Sequence, residues 1–235
     1  MSRLKIKTLL ILGSNSDIAQ KIVKKINKKK YNVILHYHKN KNLILKKNNH
    51  NYLIKADLAK PKEVYSMFFN IKKKYKHLDF IISNFSTYDN PKKIYSLKNY
   101  ENVFKINVLG NINVILCYTK FFKSLSKKIM FISSNSSLRG SPSLPAYASS
   151  KSSLDNLVKS FSKIFQLSNL DICSIQFGPV MTSKLIENKG IDWIKNIKKK
   201  LSNYKILTTN SASNIILKIL FNKRNTNGKI FKKFF

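Results

Sequence analysis

Cysteine is nearly absent from this chain, with Cys117 and Cys173 the two in 235 residues. Two thiols so far apart offer neither a metal-ligand spacing nor a disulfide framework. Arginine is almost as scarce: Arg3, Arg139 and Arg224 are three among 45 basic residues. Base-reading proteins favour the bidentate guanidinium fork, so no specific nucleic-acid partner is expected. Acidic residues are few, ten against the 45 basic ones, which gives a formal net charge of +35. The lysines spread along the whole chain instead of clustering, and Lys-, Asn- and Ile-rich usage matches AT-rich codons. Non-specific attraction to polyanions at low salt is a side effect of such a charge. Long apolar runs are also missing. Leu9 to Leu12 near the start falls far short of the roughly 20 residues a membrane helix needs. The same start lacks a signal-peptide core and a small-residue cleavage site. A cytoplasmic chain with no membrane partner is the expectation.

What is present is an ordinary globular share of apolar residues, 43%, in a length that suits one domain. No repeat or Pro/Gly/Ser linker divides it. Short apolar strands alternate with amphipathic helices. Strands are predicted at residues 5–12, 32–37, 51–55, 79–83, 128–134 and 171–177. Helices are predicted at 17–29, from about Pro61, at 97–122 and at 146–165, the first carrying Ile18, Ile22 and Ile26 at four-residue spacing. This alternation predicts a single α/β domain, 1–235, with a doubly wound parallel sheet. The less regular stretch 179–204, including Trp193, is expected to cover a ligand crevice at the strands' C-terminal ends.

Two places carry chemistry. The turn Gly13-Ser14-Asn15-Ser16-Asp17-Ile18-Ala19 joins the first strand to the first helix. A helix N-terminus there offers free backbone N–H groups and a positive dipole end to a pyrophosphate. Plain helix capping by Asn15 or Ser16 is the competing explanation, because the turn has one glycine. The second place is Tyr147 and Lys151, four apart on one helix face, with Ser134 thirteen residues before Tyr147. A nearby ammonium is expected to lower a tyrosine pKa from about 10. The phenol then protonates a carbonyl oxygen that a serine hydroxyl holds. A Tyr-x-x-x-Lys pair alone also arises by chance on many helices.

Taken in order along the chain, these features resemble the short-chain dehydrogenase/reductase family. The turn at Gly13 is similar to that family's Gly-x-x-x-Gly-x-Gly, with Asp17 and Ala19 replacing glycines. Asp57 and Leu58 match its adenine-contacting Asp-Leu, and Asn84 stands in the place of its Asn-Asn-Ala-Gly. Asn107 matches the helix asparagine that supports a proton relay. Ile132-Ser133-Ser134 and Tyr147-Ala148-Ser149-Ser150-Lys151 match the catalytic segment. Gly178, Pro179, Val180 and Thr182 match the segment that closes over a nicotinamide. Departures are Phe85 and Ser86 in a normally small stretch, Phe177 where Pro is usual, and a short C-terminus.

The resemblance implies a Rossmann-like fold and an NAD(P)(H)-dependent oxidoreductase reducing a small-molecule or carrier-bound carbonyl. Asn107, Ser134, Tyr147 and Lys151 would form its catalytic set. A 3-oxoacyl-carrier-protein reductase is one candidate, and Tyr88 to Asn90 resembles that group. A pteridine reductase, similar at His36 to Lys39, and a sugar-modifying enzyme are others. A catalytically idle nucleotide- or nucleic-acid-binding protein is the non-enzyme alternative. A homo-oligomer, dimer or tetramer, is implied, built partly on the stripe Leu154, Leu157, Val158, Phe161 and Phe165. NADPH is expected over NADH: no carboxylate ends the second strand, and His38 and Lys39 lie where a 2′-phosphate would. No metal is expected at His36 and His38, which have no carboxylate or cysteine nearby in sequence.

Overall fold

The computed structural model describes residues 6–39, 51–122, 127–187, 206–222 and 224–233, together with 190, 192 and 196. Strand β1 (Lys7–Leu12) leads through a turn to α1 (Asp17–Lys25) and β2 (Tyr31–Tyr37). Then come β3 (Asn51–Lys55), α2 (Pro61–Lys74) and β4 (Phe80–Ser83). Helix α3 (Leu97–Phe104) runs through a widened π-helical turn, Lys105–Leu109, into α4 (Gly110–Phe121). Next are β5 (Lys127–Ser134), the one-turn α5 (Ser136–Arg139), α6 (Pro145–Ile164) and β6 (Leu170–Phe177). The chain ends with β7 (Val180–Met181), β8 (Leu207–Thr208), α7 (Thr209–Leu220) and β9 (Ile230–Lys233).

Seven strands form one parallel sheet in the order β3-β2-β1-β4-β5-β6-β9. Strand alternation explains its two-sided burial. Leu10 and Leu12 join Val64, Phe68, Val114, Tyr118, Leu154 and Val158 on one face. Leu9 and Ile11 join Ile18, Ile22, Val23, Ala212, Ile216 and Leu220 on the other. The helices therefore cover both faces, α2, α4 and α6 on one side and α1 and α7 on the other. Strand order reverses between β1 and β4, which opens a crevice beyond their C-terminal ends.

Three boundaries differ from the sequence expectation. The first helix stops at Lys25, because Ile26 is already extended (φ −71°, ψ 128°) and Asn27 turns the chain into β2. The long helix expected at 97–122 is broken by the π turn, where Asn111 Nδ2 donates to the Asn107 carbonyl at 2.7 Å. The C-terminus supplies a sheet edge, β9, which the Lys232-Lys233 pair obscured in sequence. Within 179–204, Val180–Met181 pairs with Leu207–Thr208, and 183–187 is helical. Trp193 lies outside the described residues. Among the described residues no helix is long and apolar enough to cross a membrane.

Candidate active site

The turn after β1 is tied down from three directions. Gly13 takes φ +69°, and a Cβ there would come within 2.7 Å of the Asn84 carbonyl oxygen. Only glycine meets both demands, the left-handed backbone and the close approach. The Gly13 N–H donates to His36 Nδ1 at 3.2 Å, and His36 Nε2 lies 2.9 Å from the Ala56 carbonyl. His36 is therefore a neutral bridge across three strands, with its proton on Nε2. Burial depresses its pKa from 6.5 to about 4, the Ala56 hydrogen bond opposing. Both ring nitrogens are engaged.

Ser14 is fully buried, and its hydroxyl donates to the His36 carbonyl at 2.9 Å. Ser16 caps α1 by accepting from Ala19 N–H at 3.1 Å, and it also receives a bond from Asn84 Nδ2. Asp17 accepts from the Ser183 N–H at 2.6 Å, which joins the turn to the segment after β7.

The other end of the crevice is built on α6. Pro145 opens that helix, and no side chain of its own flank caps it. Asp89 does so from the loop after β4. Its Oδ1 accepts from Ala146 N–H at 3.0 Å and its Oδ2 from Tyr147 N–H at 2.8 Å. A carboxylate at a helix N-terminus satisfies orphan donors and complements the dipole. Asn99 Nδ2 holds that carboxylate at 3.0 Å. Asn107 fixes the same loop, accepting from Thr87 N–H at 2.8 Å and donating to the Thr87 carbonyl at 2.9 Å. The Asn107 amide also donates to Ser150 Oγ on α6 at 2.9 Å.

Tyr147 is buried, and its ring lies 4.5 Å from that of Tyr88, centre to centre. The hydroxyl of Ser134, which also lines the cavity, donates to Ser136 Oγ at 3.3 Å and accepts from Ser136 N–H at 3.2 Å. Burial pushes its pKa well above 10, with Tyr88 adding and Ser134 opposing. The expected lowering of that pKa by Lys151 is not what this geometry gives. The Lys151 ammonium, 5.6 Å from the centre of the Tyr147 ring, donates to the Ile132 carbonyl at 2.7 Å. Lys151 is itself depressed from 10.5 to about 8, by burial first. Asp155, one turn further along α6, opposes that depression, and Lys184 adds to it. The Asp155 carboxylate accepts from Ser133 Oγ at 2.9 Å, Ser174 Oγ at 2.7 Å and Gln176 Nε2 at 2.8 Å. At neutral pH the site thus holds a protonated phenol beside a protonated amine.

Both ends face one cavity of about 1400 Å³. Of the candidate catalytic and cofactor-binding residues read from the sequence, all but Ser14 and Asn107 line it. Ser14 turns into the sheet, and Asn107 faces the Thr87 loop. Phe85 lines the cavity, yet its ring also fills the space beside Gly110, where a Cβ would stand 3.1 Å away. Sequence reasoning missed Asp89, Asp155 and the bridging role of His36. With ten acidic residues in the chain, an aspartate just after a strand or within a helix face was the available signal.

Known proteins agree with this architecture. The family described as short chain dehydrogenase matches residues 7–190. Tetrahydroxynaphthalene reductase PfmaG of Pestalotiopsis fici is 24% identical over 77% of this chain and 69% of that protein. The hydroxynaphthalene reductase-like protein Arp2 of Metarhizium robertsii is 23% identical over 66% of this chain and 61% of that protein. The chain thus spans about two thirds of the length of these relatives. In structure it is similar to a 3-oxoacyl-[acyl-carrier protein] reductase from Brucella melitensis in complex with NAD. That similarity has a TM-score of 0.87 and 16% identity, covering 98% of this chain and 96% of that one. It is also similar to ElxO with NADP bound, with a TM-score of 0.80 and 22% identity over 97% of each chain.

Proposed function

This chain belongs to the short-chain dehydrogenase family and is an oxidoreductase, and from that premise we propose that it reduces a carbonyl to an alcohol with NADPH. The observation that carries the proposal is that Tyr147, Ser134 and Lys151 line one cavity, with Lys151 one turn along the same helix from the buried Tyr147. The cavity fits a dinucleotide: α1 begins at one end with Asn15, Ser16, Asp17 and Ile18 at its rim, and Gly13 allows the turn to close on Asn84. Bound NADPH supplies the hydride that the carbonyl carbon receives. Tyr147 gives its proton to the oxygen, so one hydride and one proton complete the alcohol. Ser134 holds that oxygen. Lys151, charged below about pH 8 and held by the Ile132 carbonyl at 2.7 Å, would hold the ribose of the bound cofactor. Asn107 acts one step removed, by fixing the Thr87 loop that carries Tyr88 and Asp89.

In the same proposal Asp57 and Leu58 bound the adenine, and His38 and Lys39 receive the 2′-phosphate. Asn84 borders the ribose, and Gly178, Pro179, Val180 and Thr182 close over the nicotinamide. Names of relatives support a carbonyl substrate, small or carrier-bound, including hydroxynaphthalene and 3-oxoacyl reductases. Lys128, buried against Asp171 and the Asn222 carbonyl, is structural. The test is NADPH oxidation over a panel of ketones and aldehydes, with Tyr147→Phe beside the wild type. Turnover should fall by about 10²–10⁴, while NADPH binding by fluorescence is retained. Wild-type turnover in Tyr147→Phe would remove Tyr147 from the mechanism.

A cytoplasmic homo-oligomer is part of this proposal. The stripe expected to build the interface is partly claimed by the protomer's own core: Leu154 and Val158 are buried, and Phe161 packs there against Phe165. Leu109 and Leu116, more than half exposed on the adjoining helix, take over that role. Since +35 charges per chain repel, association should strengthen with salt. Light scattering at low and moderate ionic strength decides it, and a monomer at both counts against it.

A further inference from the structure

Two ammonium groups serve the chemical end of the cavity. Lys151 is buried in it, and Lys184 stands at its rim on the helical turn after β7. The Lys184 nitrogen lies 4.6 Å from the centre of the Tyr88 ring. Tyr88 in turn packs on Tyr147, with ring centroids 4.5 Å apart and planes at 34°. The sequence of groups is therefore a cation, an aromatic face and the proton-bearing phenol. A cation over a ring gains from the ring quadrupole, which aims Lys184 at this end of the cavity.

Lys184 is short of counter-charge. Glu187, on the same exposed turn, is the carboxylate that acts on it, and among the described residues no ion pair holds it. Desolvation disfavours its charged form, and its charge in turn opposes that of Lys151. An anion placed beside both relieves the repulsion and replaces lost hydration. Hydroxyls of Ser134, Ser136, Ser141 and Ser143 also border the cavity, which suits a polar ligand over a long acyl chain.

We infer that Lys184 is a specificity-determining residue, selecting substrates that carry an anionic group close to the carbonyl that Tyr147 protonates. The inference rests on the reduction proposed above. The anion is a carboxylate, sulfonate or phosphate on the substrate itself.

A matched pair of probes tests it: 4-carboxybenzaldehyde and its neutral methyl ester. Wild type should favour the carboxylate in kcat/KM by about three- to fivefold. Lys184→Met should bring that ratio close to one, and Lys184→Arg should restore it. A wild-type ratio near one, or a ratio that Lys184→Met leaves unchanged, overturns the inference. So does a Lys184→Met variant whose NADPH affinity falls as far as the ratio, since Lys184 would then serve the cofactor phosphates. If wild type turns over neither aldehyde, carbonyl reduction is in question, and binding decides the role of Lys184 separately. Calorimetry with terephthalate against neutral terephthalamide should then show a preference of about three- to fivefold that Lys184→Met abolishes. Equal binding of the two overturns it.

Discussion

The two ends of the cavity are held by different physics. At the Gly13 end the buried and half-buried ties are main-chain groups, hydroxyls and one neutral ring: Gly13 N–H to His36, Ser14 to the His36 carbonyl, and Ser16 across the cap of α1, with the Asp17 carboxylate joining in at the exposed edge. At the Tyr147 end they are buried charges. Asp89 and Asp155, two of the ten acidic residues in the chain, are almost wholly enclosed there. Neutral ties keep a turn in shape without setting a field, which suits an anionic ligand. A field is what the other end requires, because a phenol and an amine must keep defined protonation states. Scarce carboxylates thus stand where a helix start and a lysine need them.

Asp155→Ala should break this contrast hardest. It leaves Ser133, Ser174 and Gln176 without their common acceptor, and Lys151 without its nearest opposing charge. Removing one partner from a buried charged network typically costs about 3–5 kcal/mol. Urea denaturation should show a loss of that order, and Asp155→Asn a smaller one. A loss below about 1 kcal/mol would mean that the carboxylate is not a keystone of the Tyr147 end.

The Gly13 end should respond to acid through His36. Its pKa in the folded chain, about 4, lies below its ordinary 6.5. Between those values the unfolded chain binds a proton that the folded chain does not. Stability is therefore complete above pH 6.5 and declines as pH falls toward 4, by about 3 kcal/mol in all. His36→Gln keeps an acceptor for Gly13 and a donor for Ala56 but does not titrate. Its Tm should decline less steeply than wild type over pH 6.5 to 4. Parallel curves would show that another group governs acid sensitivity there.

The same division explains what could be read from sequence. Strands β1 to β6 and the helices between them are legible because short continuous apolar runs alternate with amphipathic stretches. One widened turn at Lys105–Leu109 leaves that periodicity almost untouched, so a single long helix was expected. Two-residue strands such as Val180–Met181 carry no period at all. Tyr147 and Lys151 could be paired because one helix face sets their distance. Asp89 reaches α6 across 57 residues of sequence, and His36 reaches Gly13 across 23. Such ties depend on which way the sheet turns a side chain. For that reason the sequence could not tell that Ser14 faces inward.

The smallest expected effect concerns the rim of the Gly13 end, where cofactor choice would be made. His38 lies 3.7 Å from the Asp57 carboxylate, and Lys60 is bonded to Glu63 at 2.9 Å. Both side chains already have acidic neighbours. Lys39 is exposed beside them, lines the cavity, and is in no ion pair among the described residues. It is the cation best placed to meet a 2′-phosphate with a charge-assisted contact. Solvent screens such a contact, so its worth is about 1 kcal/mol or less. Lys39→Ala should accordingly lower the NADPH-to-NADH ratio of kcat/KM by about three- to sixfold, acting through KM. Tyr37→Asp should add to the shift, because a carboxylate at the end of β2 repels phosphate and accepts ribose hydroxyls. If Lys39→Ala leaves the ratio unchanged while Tyr37→Asp moves it, the missing carboxylate at the end of β2 makes the choice, and Lys39 is one more solvated lysine.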